Sequence, residues 1–133
     1  KTILDGEPDD RKIVFVVDER GGAGKSWFVR KYLSDHEDAQ MLSVGRRDDM
    51  AHAIDESKRV ILIDVPRGSM QYLQYSVLEG IKNRLVFSPK YASCTKRFPR
   101  QPHVVVFSNE EPDRNALTRD RYHTLRLPAL VIN

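Results

Sequence analysis

An α/β fold with a mostly parallel central sheet follows from two features of this 133-residue chain. Continuous apolar runs at residues 13–17, 60–63 and 104–107 read as strands buried on both faces, with no polar alternation to leave one face wet. Segments of helical periodicity stand between them, and strands that alternate with helices build a parallel sheet covered on both sides.

Taken in order, residues 1–11 are polar, with Gly6, Pro8 and several acids, and predict a linker or leading arm. One domain follows over residues 12–133. Residues 13–18 form its first strand, and a glycine-rich turn leads into a helix over about residues 26–34. Residues 41–44 are a short second strand. A helix over 48–56 takes Asp48 or Asp49 as N-cap and sets Met50, Ala53 and Ile54 on one face. Residues 60–64 are the next strand. The spacing of Tyr72, Leu73, Tyr75, Val77, Leu78 and Ile81 predicts a helix over 70–83. Residues 85–98 suit a β-hairpin, with Ser88-Pro89-Lys90 in its connection. A strand over 104–107 ends at Ser108-Asn109, and residues 122–127 form the last strand.

Composition sets outer limits. Hydrophobic residues make up 40% and charged residues 31%, as in soluble globular domains. No apolar run approaches the roughly 20 residues of a membrane helix, and no signal peptide or lipidation motif is visible, so no membrane partner is expected. The chain starts at Lys1 rather than Met, which predicts an excised fragment whose targeting signal could lie upstream. The single Cys94 excludes an internal disulfide, and the four histidines lack metal-ligand spacing. Net charge is +3, yet residues 80–109 hold Lys82, Arg84, Lys90, Lys96, Arg97 and Arg100 with no acid. The remainder of the chain is net acidic. One localised basic segment predicts a polyanion partner.

The chemistry concentrates at residues 19–26, Glu-Arg-Gly-Gly-Ala-Gly-Lys-Ser. Strand, glycine-rich turn, Lys-Ser and helix is the context of a phosphate-binding P-loop, with Glu19 where the usual pattern has its first glycine. Gly21, Gly22, Ala23 and Gly24 would present backbone N–H groups to phosphates, and the helix N-terminus adds positive dipole. Lys25 would reach the β- and γ-phosphates of ATP. Ser26 would hold Mg²⁺, and Trp27 opens the helix beside it. Asp64 closes an apolar strand 39 residues after Lys25, where a carboxylate can hold the same Mg²⁺. The second acid that often follows is replaced by Val65, leaving Asp64 alone or an acid such as Glu56 or Glu19 to orient water. Asn109, at the end of another strand, can bridge the γ-phosphate and the attacking water. Arg119 and Arg121 are candidates for an arginine supplied to a neighbouring subunit's γ-phosphate. Lys90 and Tyr91, near the hairpin tip, combine a phosphate contact with an aromatic for a base. Lys96 and Arg97 follow on the same hairpin.

The order P-loop, single-Asp strand, basic hairpin, strand ending in Asn, then Arg resembles the superfamily 3 helicases, a branch of the AAA+ ATPases. The likeness is nearest to the ATPase domain of replication initiator (Rep) proteins of circular single-stranded-DNA viruses, the circovirus and nanovirus type. It rests on Gly24-Lys25-Ser26-Trp27, Ile63-Asp64-Val65-Pro66-Arg67, Tyr72-Leu73-Gln74-Tyr75, Leu78 to Asn83, Lys90-Tyr91, Phe107-Ser108-Asn109 and Asp120-Arg121, and spans about residues 13–127. The Asp-Val-Pro-Arg form looks like the nanovirus branch, which also lacks the second acid. The resemblance implies a three-layer P-loop NTPase sandwich with a β-hairpin insertion. It further implies ATP and Mg²⁺ as cofactors and a homo-hexameric ring moving 3′-to-5′ on single-stranded DNA. An upstream endonuclease domain and a host-nuclear location are implied as well. No His-x-His or Tyr-x-x-Lys nicking motif lies in this chain. The expectation is an ATP-driven DNA helicase motor. The alternatives are a P-loop kinase of a small metabolite or nucleoside, and a ring-forming DNA-binding module with weak ATPase activity.

Overall fold

The computed structural model describes Leu4, residues 6–21 and residues 24–127, apart from the Leu127 side chain. Within these residues a five-stranded sheet runs in the order β2-β3-β6-β1-β7 with every neighbouring pair parallel. Its strands are β1 (Ile13–Asp18), β2 (Ala39–Ser43), β3 (Val60–Asp64), β6 (His103–Ser108) and β7 (Tyr122–Leu127). The hairpin strands β4 (Leu85–Ser88) and β5 (Cys94–Arg97) pair antiparallel. The α/β class, parallel sheet and hairpin are therefore those the sequence predicts.

Side-chain alternation divides the core in two. Ile13, Phe15, Ile61, Ile63, Val104 and Val106 face one side, against α2 (Arg47–Ala53), α3 (Tyr75–Lys82) and the hairpin. Val14, Val60, Leu62, Val105 and Phe107 face the other, against Val29 and Tyr32 of α1 (Lys25–Asp35). The central strands carry apolar residues at both parities because both faces are covered.

Two helices differ from expectation. The predicted helix over 70–83 is a 3₁₀ turn, Met70–Tyr72, and then α3. Met70 and Leu73, both buried, stand three residues apart, a spacing the tighter turn satisfies. Leu73 is itself extended (ψ 130°), which stops a continuous helix. The second helix is capped by neither Asp48 nor Asp49. Arg46 is its N-cap, and the two acids lie in the first turn, where they complement the helix dipole.

Residues 6–12 pack along the amino-terminal edge of the sheet. Buried His103 has Nε2 2.9 Å from the Gly6 carbonyl oxygen. Lys82 Nζ, also buried, donates to the carbonyl oxygens of Asp9 (2.6 Å) and Pro102 (2.8 Å). Burial pushes the Lys82 pKa down to about 8. Arg11 forms a close ion pair with Asp120. The arm predicted for residues 1–11 is thus held to the domain over residues 6–11; residues 1–3 and 5 lie outside the described residues.

Candidate nucleotide site at the carboxyl edge

Parallel register brings the carboxyl ends of β1, β3 and β6 to one edge. Asp64 stands opposite Phe107, and Val17 opposite Ser108. Ligands of open α/β sheets gather at this edge, in the crevice beside the strand ends. The turn after β1 is built there. Asp18 is fully buried, and its carboxylate accepts the Gly21 N–H at 2.9 Å. Gly21 has φ +79°, a left-handed conformation that glycine adopts without steric cost. Asn109, just beyond β6, donates its Nδ2 to the Asp18 carbonyl oxygen at 2.8 Å. Gly24 is the N-cap of α1, with no side-chain cap, and its carbonyl oxygen accepts the Phe28 N–H at 2.9 Å.

Lys25 and Ser26 open α1, half-buried and exposed respectively. Trp27 is 62% exposed. Among the described residues, Lys25, Ser26 and half-buried Asp64 have no side-chain hydrogen bond or ion pair. Unmatched charges and first-turn N–H groups at a glycine turn favour an anionic ligand. The Ser26 hydroxyl and Asp64 carboxylate are hard oxygen donors of the kind Mg²⁺ takes, usually retaining several waters. Val65 is 1% exposed, and its N–H is given to the Phe107 carbonyl oxygen at 2.8 Å. Asp64 is thus followed by a core residue. Gly22 and Ala23 lie outside the described residues.

The other predicted site residues separate into exposed and buried sets. Lys96 is not a surface cation. It is 9% exposed, and its Nζ donates to the carbonyl oxygens of Ala51 (2.7 Å), His52 (2.6 Å) and Ile54 (2.6 Å). Those acceptors are at the carboxyl end of α2, where terminal carbonyls lack intrahelical partners. Lys96 is therefore a helix cap, which corrects its reading as a DNA contact. With Lys82 also buried, the acid-free segment presents less charge than its composition implies. Lys90 lies in the loop after β4 and pairs with Asp49 of α2 at 3.0 Å. Tyr91 is 82% exposed, beside His52, with a ring-to-ring distance of 5.0 Å. Arg97 and Arg100 are exposed.

Arg121 lies at the opposite edge of the sheet, just before Tyr122, which pairs with Ile13. It is 3% exposed. Its Nη2 donates to Asn83 Oδ1 at 2.9 Å and lies 3.5 Å from a Glu79 carboxylate oxygen. Arg119 is exposed. A guanidinium held in the core does not project toward another molecule, so of the two candidates the geometry favours Arg119. Sequence reasoning missed Asp18 as the brace of the glycine turn. The signal was present: an Asp ending a strand before a Gly-rich stretch is a turn former that bonds its own backbone.

A parallel sheet with a strand–glycine turn–Lys-Ser–helix unit at its carboxyl edge defines a P-loop NTPase-like fold. No protein-family model matches the chain. Curated relatives do. It is 39% identical over 126 residues to "Para-Rep C6" of Subterranean clover stunt C6 alphasatellite, covering 93% of this chain and 44% of that protein. It is 42% identical over 122 residues to "Para-Rep C7" of Faba bean necrotic yellows C7 alphasatellite, covering 89% and 42%. It is 35% identical over 115 residues to the "Master replication protein" of Faba bean necrotic yellows virus (isolate Syrian SV292-88), covering 86% and 39%. The homologues of this chain are thus Rep proteins of nanovirus alphasatellites and of a nanovirus, and the chain spans about two fifths of the length of these relatives.

Proposed function

We propose that this chain is the ATP-hydrolysing motor segment of a viral replication initiator, using ATP to move along single-stranded DNA. One observation carries the reading. The sheet order sets the ends of β1, β3 and β6 side by side, gathering Gly21, Gly24, Lys25, Asp64 and Asn109 at one edge. Relatedness to Rep proteins supports a replication role over a metabolite kinase.

Each residue then has a role set by its position. Lys25 and the first-turn N–H groups of α1 bind phosphate oxygens. Ser26 and Asp64 would hold Mg²⁺, which supplies charge neutralisation across the β- and γ-phosphates. Asn109 gives its amide N–H to Asp18, which leaves its carbonyl oxygen to accept from a water. Exposed Arg119 would serve a neighbouring subunit of a ring. Lys90, Tyr91 and Arg97 would track DNA. Lys90 exchanges its exposed pair with Asp49 for a phosphate at small cost, since solvent screens exposed ion pairs.

The test is ATP turnover in Mg²⁺ buffer with and without oligo-dT. A motor hydrolyses ATP faster with DNA. A kinase ignores the DNA, and a passive DNA-binding module binds it without turnover.

A further inference from the structure

After Asp64 the chain makes a tight turn that presents an arginine. The Ser69 N–H donates to the Pro66 carbonyl oxygen at 3.0 Å, and Gly68 has φ +84°. A four-residue turn with its third residue in the left-handed region is type II, and glycine is favoured there. Arg67 holds the second position and is exposed. Its guanidinium lies over the glycine turn that follows β1. A Cβ added to Gly21 would stand 3.0 Å from Arg67 Nη2 and 4.0 Å from Asn109 Nδ2. Among the described residues, Arg67 has no ion pair or hydrogen bond.

Some exposed guanidinium groups of this chain find carboxylates, as Arg11 does in Asp120 and Arg126 in Glu111, while Arg97, Arg100 and Arg119 have none among the described residues. Arg67 instead borders backbone at a site that also holds unpartnered Lys25. One cation beside Gly21 and another at the start of α1, at the two ends of one glycine turn, exceed what a single phosphate requires and suit a polyphosphate. The loop's other residues explain the arrangement. Val65 points into the core, so the position after Asp64 offers no second carboxylate. Two residues further on the loop offers a cation.

We propose that Arg67 binds the terminal phosphate of the nucleoside triphosphate held by its own chain. The inference rests on the ATP-site reading above and adds a phosphate-binding residue acting in cis. Arg67 would neutralise charge on the phosphate farthest from the nucleoside, while the turn and Lys25 hold the inner ones.

The experiment measures binding of fluorescent ATP and ADP analogues, with Mg²⁺, to the 133-residue chain and to Arg67→Gln, across a range of protein concentrations. Arg67 is exposed and unpaired, so the variant keeps the parent's melting temperature. The expected result is about a tenfold loss of triphosphate affinity, the usual order for one charge-assisted contact. Diphosphate affinity changes by less than about twofold, and the loss is the same at all concentrations. Arg67→Lys recovers part of the loss. Unchanged triphosphate affinity overturns the proposal. So does an equal loss for both nucleotides, which places Arg67 on the inner phosphates, or a loss seen only where copies associate, which makes the contact intermolecular. If the parent binds neither nucleotide, the ATP-site reading itself fails, and this inference falls with it.

Discussion

The Asn109 side-chain amide donates to the main-chain carbonyl oxygen of Asp18, 2.8 Å away, and fastens the end of β6 to the root of the glycine turn. The same Asp18 holds the Gly21 N–H with its carboxylate, so one buried residue links the turn, its strand and the neighbouring strand. Asn109→Ala removes one neutral hydrogen bond, costing stability on the order of 1 kcal/mol. Its effect on ATP turnover is larger, at least about tenfold, because positioning in the reacting geometry is lost. Thermal melts and steady-state turnover on the same preparation separate the two effects.

Arg121 and Arg119 respond in opposite ways. Arg121→Ala leaves Asn83 and Glu79 without their buried cation and destabilises the fold by about 2–4 kcal/mol. Arg119→Ala leaves the melting temperature within error, since Arg119 is exposed. In an assembled ring it lowers hydrolysis while nucleotide binding persists. Urea melts and turnover at assembling concentrations check both outcomes.

On the hairpin, Lys96→Ala strands three carbonyl oxygens at the end of α2 and costs about 2–4 kcal/mol. Lys90→Ala and Arg97→Ala leave stability nearly unchanged and weaken oligo-dT binding at every sequence alike, because phosphate contacts carry no base information. Each lowers the salt slope of binding by about 0.7, the value for one single-strand phosphate contact. Affinities across a salt series check this.

His103 gives the fold a pH dependence. Burial lowers its pKa below 6.5, aided by nearby Arg59 and Lys82; the Gly6 carbonyl and Glu7 act the other way. A depressed histidine binds fewer protons folded than unfolded. Its stabilising effect is therefore complete above about pH 6.5 and is lost as pH falls from there through the folded value. The melting temperature falls as pH is lowered from 7.5 to 5, and His103→Gln, which keeps a neutral donor for Gly6, flattens that fall. Melts of both proteins over this range give the comparison.

The sheet was legible because its strands are apolar at both parities, a pattern that burial on two faces imposes. The start of α1 was legible because an apolar strand, glycines and then a helical run follow one another there. Lys96 was not, since composition counts a cation without saying whether its stem leads to solvent or to a helix end. Arg121 failed for the same reason: its partners, Asn83 and Glu79, are about forty residues away in sequence. The split in the helix over 70–83 was hidden because Met70 and Leu73 satisfy either helix type. Arg67 carried no signal of its own, because only the fold sets it over Gly21.

The central claim is that the carboxyl edge hydrolyses ATP through Lys25 and Asp64. Steady-state ATP turnover in Mg²⁺ buffer, with oligo-dT present, tests it most directly on the parent chain, Lys25→Ala and Asp64→Asn. Both residues are unpaired among the described residues and neither is in the buried core, so both variants should melt with the parent. The account predicts turnover in the parent, its loss by at least about a hundredfold in either variant, as expected when phosphate or metal charge is removed from the site, and residual nucleotide binding in Asp64→Asn alone. Turnover near the parent's in folded Lys25→Ala or Asp64→Asn would contradict it.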